Sequence, residues 1–269
     1  MKYTTNINFS NLTVSESIIE TFKFIKSDFS KKYVLKKLNI LVNKAKVIIN
    51  KENTEYLKIK KLLYLFYNKW NFKEAKGIYN LSDVIWLDNV LKNKNGTGIS
   101  LGILLLHIAN KLSLNLMPVI FPTQLILKYQ SPNGKIWLIN PFNGETLDKH
   151  ILKSFLKGNI SINSKLYLDY LNEADNVLLI IKILDTLKSS LIEEKKMELA
   201  LNVSNFLLQI DPTNPYEIRD RGLIYSQLDC DHVALNDLMY FIENCPDDPI
   251  SEIIKFQIYS MEYKKLTLH

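Results

Sequence analysis

Pro212 and Pro246 stand 34 residues apart, and so do Pro215 and Pro249, Ala200 and Ala234, and Leu191 and Tyr225. A spacing held at four places is an internal repeat, and no other feature of the chain limits its fold as tightly. Such a length holds two helices and their turns. Counting from Pro215, Gly222 is eighth, Tyr225 eleventh, Ala234 twentieth and Pro246 thirty-second. Small residues belong where paired helices approach closely, and proline belongs in a turn, where a helix cannot continue. The preceding copy, 181–214, keeps Ala200 and Pro212 but has Lys188 at the small position. After Pro249 a further first helix brings Ile253, Ile254, Phe256, Ile258 and Tyr259. The pattern predicts two helix pairs and one capping helix.

The period and its small, aromatic, small and proline positions resemble those of the tetratricopeptide repeat. That resemblance implies a concave groove lined by the first helices of successive pairs, and a protein or peptide partner. By position the groove takes Lys182, Asp185 and Ser189 from one helix, and Tyr216, Arg219, Ser226 and Gln227 from the next. Arg219 suits bidentate pairing with a partner carboxylate. The plainer alternative has Arg219 and Arg221 pairing with Glu217 or Asp220 on an exposed face.

Ahead of the repeats the periodicity changes twice. Thr13 and Glu16 form a capping-box signature, followed by Ile18, Ile19, Phe22, Ile25 and Phe29 at helical spacing. A second helix is expected over 33–49, with Val34, Leu38, Leu41, Val42, Ala45, Ile48 and Ile49 as its apolar stripe. A third is expected from Glu55 to Trp70, and a short fourth after Ser82 as its cap. The turn Lys94–Gly98 leads into the most apolar helix, Ser100 to Leu112, which should be buried. Strands are expected at Met117–Phe121, Leu125–Tyr129 and Lys135–Ile139, with a hairpin turn at Ser131–Gly134. His150 is placed in a loop beside Asp148. The fold class is α+β and predominantly helical. Residues 1–175 form a helical layer with an α+β unit, and 176–269 form the repeat domain, with a linker near Asn172–Asn176.

Composition excludes several classes. Two cysteines, Cys230 and Cys245, are too few for a disulfide scaffold and are not spaced for zinc. The longest apolar run, Ile99–Ala109, is about half of the ~20 residues that span a membrane. The first residues lack the apolar stretch of a signal peptide, so a soluble cytoplasmic protein is expected. The net charge of +6 invites a nucleic-acid reading, but 32 of the 34 basic residues are lysine. Lys, Asn, Ile, Tyr and Phe are abundant together, as in proteins from reduced, AT-rich genomes, so nucleic acid is possible but not favoured. Charge is graded: net +10 over 1–76, +2 over 77–175 and −6 over 176–269. Gly96-Thr97-Gly98 lacks the third glycine of a dinucleotide fingerprint and predicts a helix-start turn instead. His107 is expected to be a satisfied core histidine. No histidine or cysteine set forms a metal site, and no cofactor is expected.

The chemistry worth weighing lies in the middle. Ser100 stands at the start of the buried helix, Gln124 at a strand start and Asn140 at the end of the next strand. The motifs Phe121-Pro122-Thr123-Gln124-Leu125 and Ile139-Asn140-Pro141-Phe142-Asn143-Gly144 resemble the core of a bacterial family that joins a transglutaminase-like domain to tetratricopeptide repeats. So do Leu81–Asp88, Gly98–Gly102 and Pro215–Leu223, and the likeness is nearest to the family's enterobacterial branch. It implies a buried helix packed on a small antiparallel sheet. In this superfamily the nucleophile sits at the helix start, the base in a Phe-Pro-Gly-His motif and the orienting acid in Asp-Pro-Phe-Asn-Gly. By position those roles fall on or near Ser100, on Gln124 and on Asn140. A glutamine cannot accept a proton near neutral pH, and an asparagine cannot stabilise an imidazolium as a carboxylate does. The resemblance therefore implies a degenerate pocket with no catalytic residue, and a noncatalytic adaptor or regulatory protein. The alternatives are an amide hydrolase or acyl-transfer enzyme using Ser100, and a nucleic-acid or ribosome binder using the basic front.

Overall fold

The structure is a computed structural model, and it describes residues 12–267. Its contacts divide the chain between Ile183 and Leu184 into two compact units. In the first unit, α1 (Val14–Ile25) opens with the expected capping box of Thr13 and Glu16. Helix α2 (Lys31–Ile49) buries Val34, Leu38, Leu41, Ala45 and Ile49, while Val42 and Ile48 sit only half-buried at the stripe's margins. Helix α3 (Glu55–Tyr64) is capped by Thr54 and runs on as a π turn, Leu65–Lys69. That turn buries Leu65 and Phe66 and leaves Trp70 half-buried.

The helix expected after Ser82 begins later. Leu81–Val84 forms a single 3-10 turn, and α4 (Leu87–Asn93) starts behind Trp86. The reason is tertiary: Trp86 is buried edge-on against Phe22, 4.8 Å between ring centroids, which anchors α4 to α1. Lys94 ends α4 in the left-handed region at φ 63°. Strands β1 (Lys73–Glu74) and β2 (Asn95–Gly96) then pair in parallel, a contact too short to show in the sequence.

Helix α5 (Gly98–Lys111) is the centre of this unit, and from Ser100 to Ala109 every residue is buried. One face of the sheet packs on it. The sheet is an antiparallel meander of β3 (Leu116–Phe121), β4 (Gln124–Gln130) and β5 (Ile136–Ile139), in spatial order β3-β4-β5. Val119 pairs with Ile126 and Leu127 with Ile139. The other face, with Val119, Phe121, Ile126 and Leu138, is closed by Leu152 and Leu156 of α6 (Lys149–Asn159). His150 is therefore in the first turn of a helix rather than in a loop, because Asp148 caps that helix by accepting from the Ile151 N–H.

In the second unit the repeat is present as helix pairs. Helix α7 (Asn176–Glu193) begins in the first unit and ends in the second, and α8 (Met197–Ile210) follows it. Helix α9 (Pro215–Gln227) starts with Pro215 behind the Asn214 cap and pairs with α10 (Asp231–Asn244). Helix α11 (Ser251–Thr267) is the further first helix. Ala200 and Ala234 are fully buried. A Cβ on Gly222 would lie 3.0 Å from Asp237 and Leu238, which is why the eighth position is small.

Candidate functional site

Three segments meet at the start of α5. Thr97 accepts from the Ser100 N–H, and Ser100 Oγ accepts from the Thr97 N–H at 2.9 Å, so the two residues form a reciprocal cap. The Ser100 hydroxyl hydrogen goes to the Val84 carbonyl, 2.7 Å away. Ser100 is fully buried. Its hydroxyl thus ties the 3-10 turn to α5. The sheet segments approach closely: a Cβ on Gly98 would lie 2.9 Å from the Phe142 ring, and one on Gly102 would lie 2.6 Å from Leu125 and 3.4 Å from Pro141. The neighbours of Gln124 and Asn140 therefore pack on the helix turn that carries Ser100.

The three side chains do not bond to one another. Asn140 Oδ1 accepts from the Phe142 N–H at 3.0 Å and shapes its own turn. Gln124 Nε2 and Thr123 Oγ1 are buried with no hydrogen-bond partner among the described residues. No local pattern pointed to Tyr67, which also holds this turn. Its hydroxyl donates to the Pro141 carbonyl at 2.6 Å, and its ring lies against Gly144, whose φ is 76°. Burial pushes the Tyr67 phenol up, so it stays a donor throughout the working pH range.

His107 lies on the buried face of α5, and Nδ1 is 3.0 Å from Ser15 Oγ. Nε2 has no partner among the described residues, so the expected satisfied histidine is only half satisfied. Burial and Lys111 hold its pKa down at about 4, so the ring is neutral. Among the described residues no group of three or more metal-ligating side chains is found.

The second unit contains a groove. A cavity of about 750 Å³ is lined by Lys188, Ser189 and Ile192 of α7, by Asp220, Leu223, Ile224 and Gln227 of α9, and by Gln257 of α11. Of the residues expected there, Ser189 and Gln227 line it. Lys182 belongs to the other unit. Asp185 lies 4.0 Å from Lys188. Tyr216 is exposed and donates to Asp248 at 3.0 Å. Ser226 is half-buried beside the lining residues. Arg219 directs Nε and Nη2 to Asp220 Oδ1, at 3.1 and 2.6 Å, with its guanidinium over the rings of Tyr216 and Phe241. That is the plainer of its two expected roles. Arg221 makes a bidentate pair with Asp237, 2.7 Å on each arm, rather than with Glu217 or Asp220.

Beneath the groove lies an ion cluster. Lys188 Nζ is 2.5 Å from Glu217 and 2.8 Å from Asp220, and Ser204 donates to Glu217 at 2.6 Å. Burial pulls the Lys188 ammonium down, but Asp220 and Glu217 outweigh it and raise its pKa. The signal was visible in the sequence as a lysine at a small position. A long side chain fits there because its ammonium reaches the carboxylates of α9.

A helix packed on an antiparallel meander, followed by stacked helix pairs, defines a transglutaminase-like protein with tetratricopeptide repeats. The Transglutaminase-like superfamily matches residues 32–185, and the Tetratricopeptide repeat family matches residues 187–258. The chain belongs to the UPF0162 family of bacterial proteins. It is 60% identical to the UPF0162 protein of Buchnera aphidicola subsp. Baizongia pistaciae, over the full length of both chains. It is 52% identical, again over both full lengths, to protein SirB1 of Salmonella typhimurium and to UPF0162 protein YchA of Escherichia coli K12.

Proposed function

We propose that the chain is a noncatalytic adaptor: its transglutaminase-like core has lost acid–base chemistry, and its repeat groove binds a segment of another protein. The observation that carries this reading is the bonding of Ser100, whose hydrogen is committed to the Val84 carbonyl. A nucleophilic serine needs that hydrogen directed at a base. The position that family resemblance gives to the base holds Gln124, and the position of the acid holds Asn140, whose side chain supports its own turn.

The groove supports the binding half of the proposal. Ile192, Leu223 and Ile224 supply apolar surface, and Ser189, Gln227 and Gln257 supply polar groups that suit a peptide backbone. Arg219 and Lys188 are already paired with carboxylates of the same unit. The favoured anchor in a partner is therefore an apolar side chain with its backbone, rather than a carboxylate.

The test has two arms. Ser100→Ala should leave hydrolysis of ester and amide probes at the level of the unaltered protein across the pH range. Activity that depends on pH and disappears with Ser100→Ala would establish the hydrolase reading instead. For the groove, Gln227→Trp fills the cavity from an exposed position. A partner captured from nuclease-treated lysate, identified and rebound as pure protein, should lose affinity at least tenfold; unchanged affinity refutes the groove role. Binding that falls steeply with salt and vanishes when Lys31, Lys32, Lys36 and Lys37 become Glu would favour the nucleic-acid reading.

A further inference from the structure

We propose that the surface formed by α6 and the loop after it docks on an anionic lipid bilayer. The inward face of α6 is spent on the sheet through Leu152 and Leu156. Its outward face carries Lys149, Lys153 and Lys157, four residues apart and all exposed, so they form one stripe. The chain then presents four large apolar side chains within nine residues: Ile160 is 57% exposed, Ile162 77%, Tyr167 55% and Leu168 79%. Lys165 lies among them and is exposed. No aspartate or glutamate occurs between Asp148 and Asp169. None of these four lysines has an ion-pair partner among the described residues.

An exposed apolar patch of this kind marks an interaction site. The charge decides the occupant. A segment that carries lysines on its helix and in its loop, aliphatic side chains in the same loop and no carboxylate between Asp148 and Asp169 matches the boundary where lipid phosphates overlie acyl chains. Lysine stems can lie along the apolar layer with their heads among the phosphates, and Tyr167 suits the same depth. A nucleic acid would use the lysines, but single strands stack on aromatic side chains and have no use for Ile160, Ile162 and Leu168.

The full-length protein should sediment with vesicles of equal parts phosphatidylcholine and phosphatidylglycerol, and not with vesicles of phosphatidylcholine alone. Binding should weaken as salt rises. At about fivefold for each lysine, Lys149→Gln, Lys153→Gln and Lys157→Gln together should lower affinity about a hundredfold. Ile162→Asn with Leu168→Asn should abolish sedimentation. All five side chains are exposed, so circular dichroism and melting should match the unaltered protein. Equal binding to neutral vesicles, binding that the loop substitutions leave intact, or capture of RNA with no vesicle binding would each overturn the proposal.

Discussion

His107 and Lys188 show how a buried polar group makes stability depend on its surroundings. The folded protein keeps His107 neutral down to about pH 4, while the unfolded chain takes up its proton near 6.5. Between those values the unfolded state binds more protons, so stability rises with pH. The contribution is complete above pH 6.5 and is lost as pH falls towards 4, amounting to about 3 kcal/mol. Denaturant unfolding at steps across this window should show the loss, and His107→Asn should flatten it. Lys188 acts differently. Lys188→Ala leaves the buried Glu217 without its counter-ion, while Asp220 keeps Arg219, and should cost about 3–5 kcal/mol. Lys188→Met combined with Glu217→Leu removes both charges and should recover most of that loss. If the double variant is as unstable as Lys188→Ala, the cost is packing rather than uncompensated charge.

At the scale of elements, close approach decides which helices can pair. Helix α9 meets α10 through Gly222, and α5 meets the sheet through Gly102. A methyl group at Gly222 would have to displace the Cβ of Asp237 and the side chain of Leu238. At Gly102 the one tight contact would be with the flexible end of Leu125, and Pro141 would lie at an ordinary 3.4 Å. Gly222→Ala should therefore destabilise by about 1–3 kcal/mol, and Gly102→Ala by less, as read from midpoints of chemical unfolding. A similar logic explains the helix that the sequence placed after Ser82. Trp86 seeks the cleft beside Phe22 and Phe29, and the chain delays α4 to deliver it there.

Across the whole molecule, Gly102 and Gly222 lie in different units and share no neighbour. Their effects on stability should add within about 0.5 kcal/mol in the double variant. A larger departure, measured by the same unfolding, would show that the two sites are energetically coupled.

Much of this architecture was legible in the sequence because periodicity is local. The 34-residue spacing and the apolar stripes of α1 and α2 arise from side chains that repeat in step with the backbone, and the capping box at Thr13 from two residues three apart. The meeting of the segments bearing Ser100, Gln124 and Asn140 was legible only through family resemblance, since nothing local links residues so far apart. Where the Ser100 hydrogen goes, how Tyr67 holds the Pro141 turn and which carboxylates surround Lys188 were decided by tertiary structure alone. A hydrogen bond or ion pair depends on ångström-scale distances between residues remote in the chain. A pattern of residue types carries the direction in which a side chain faces, but not the atom that it meets.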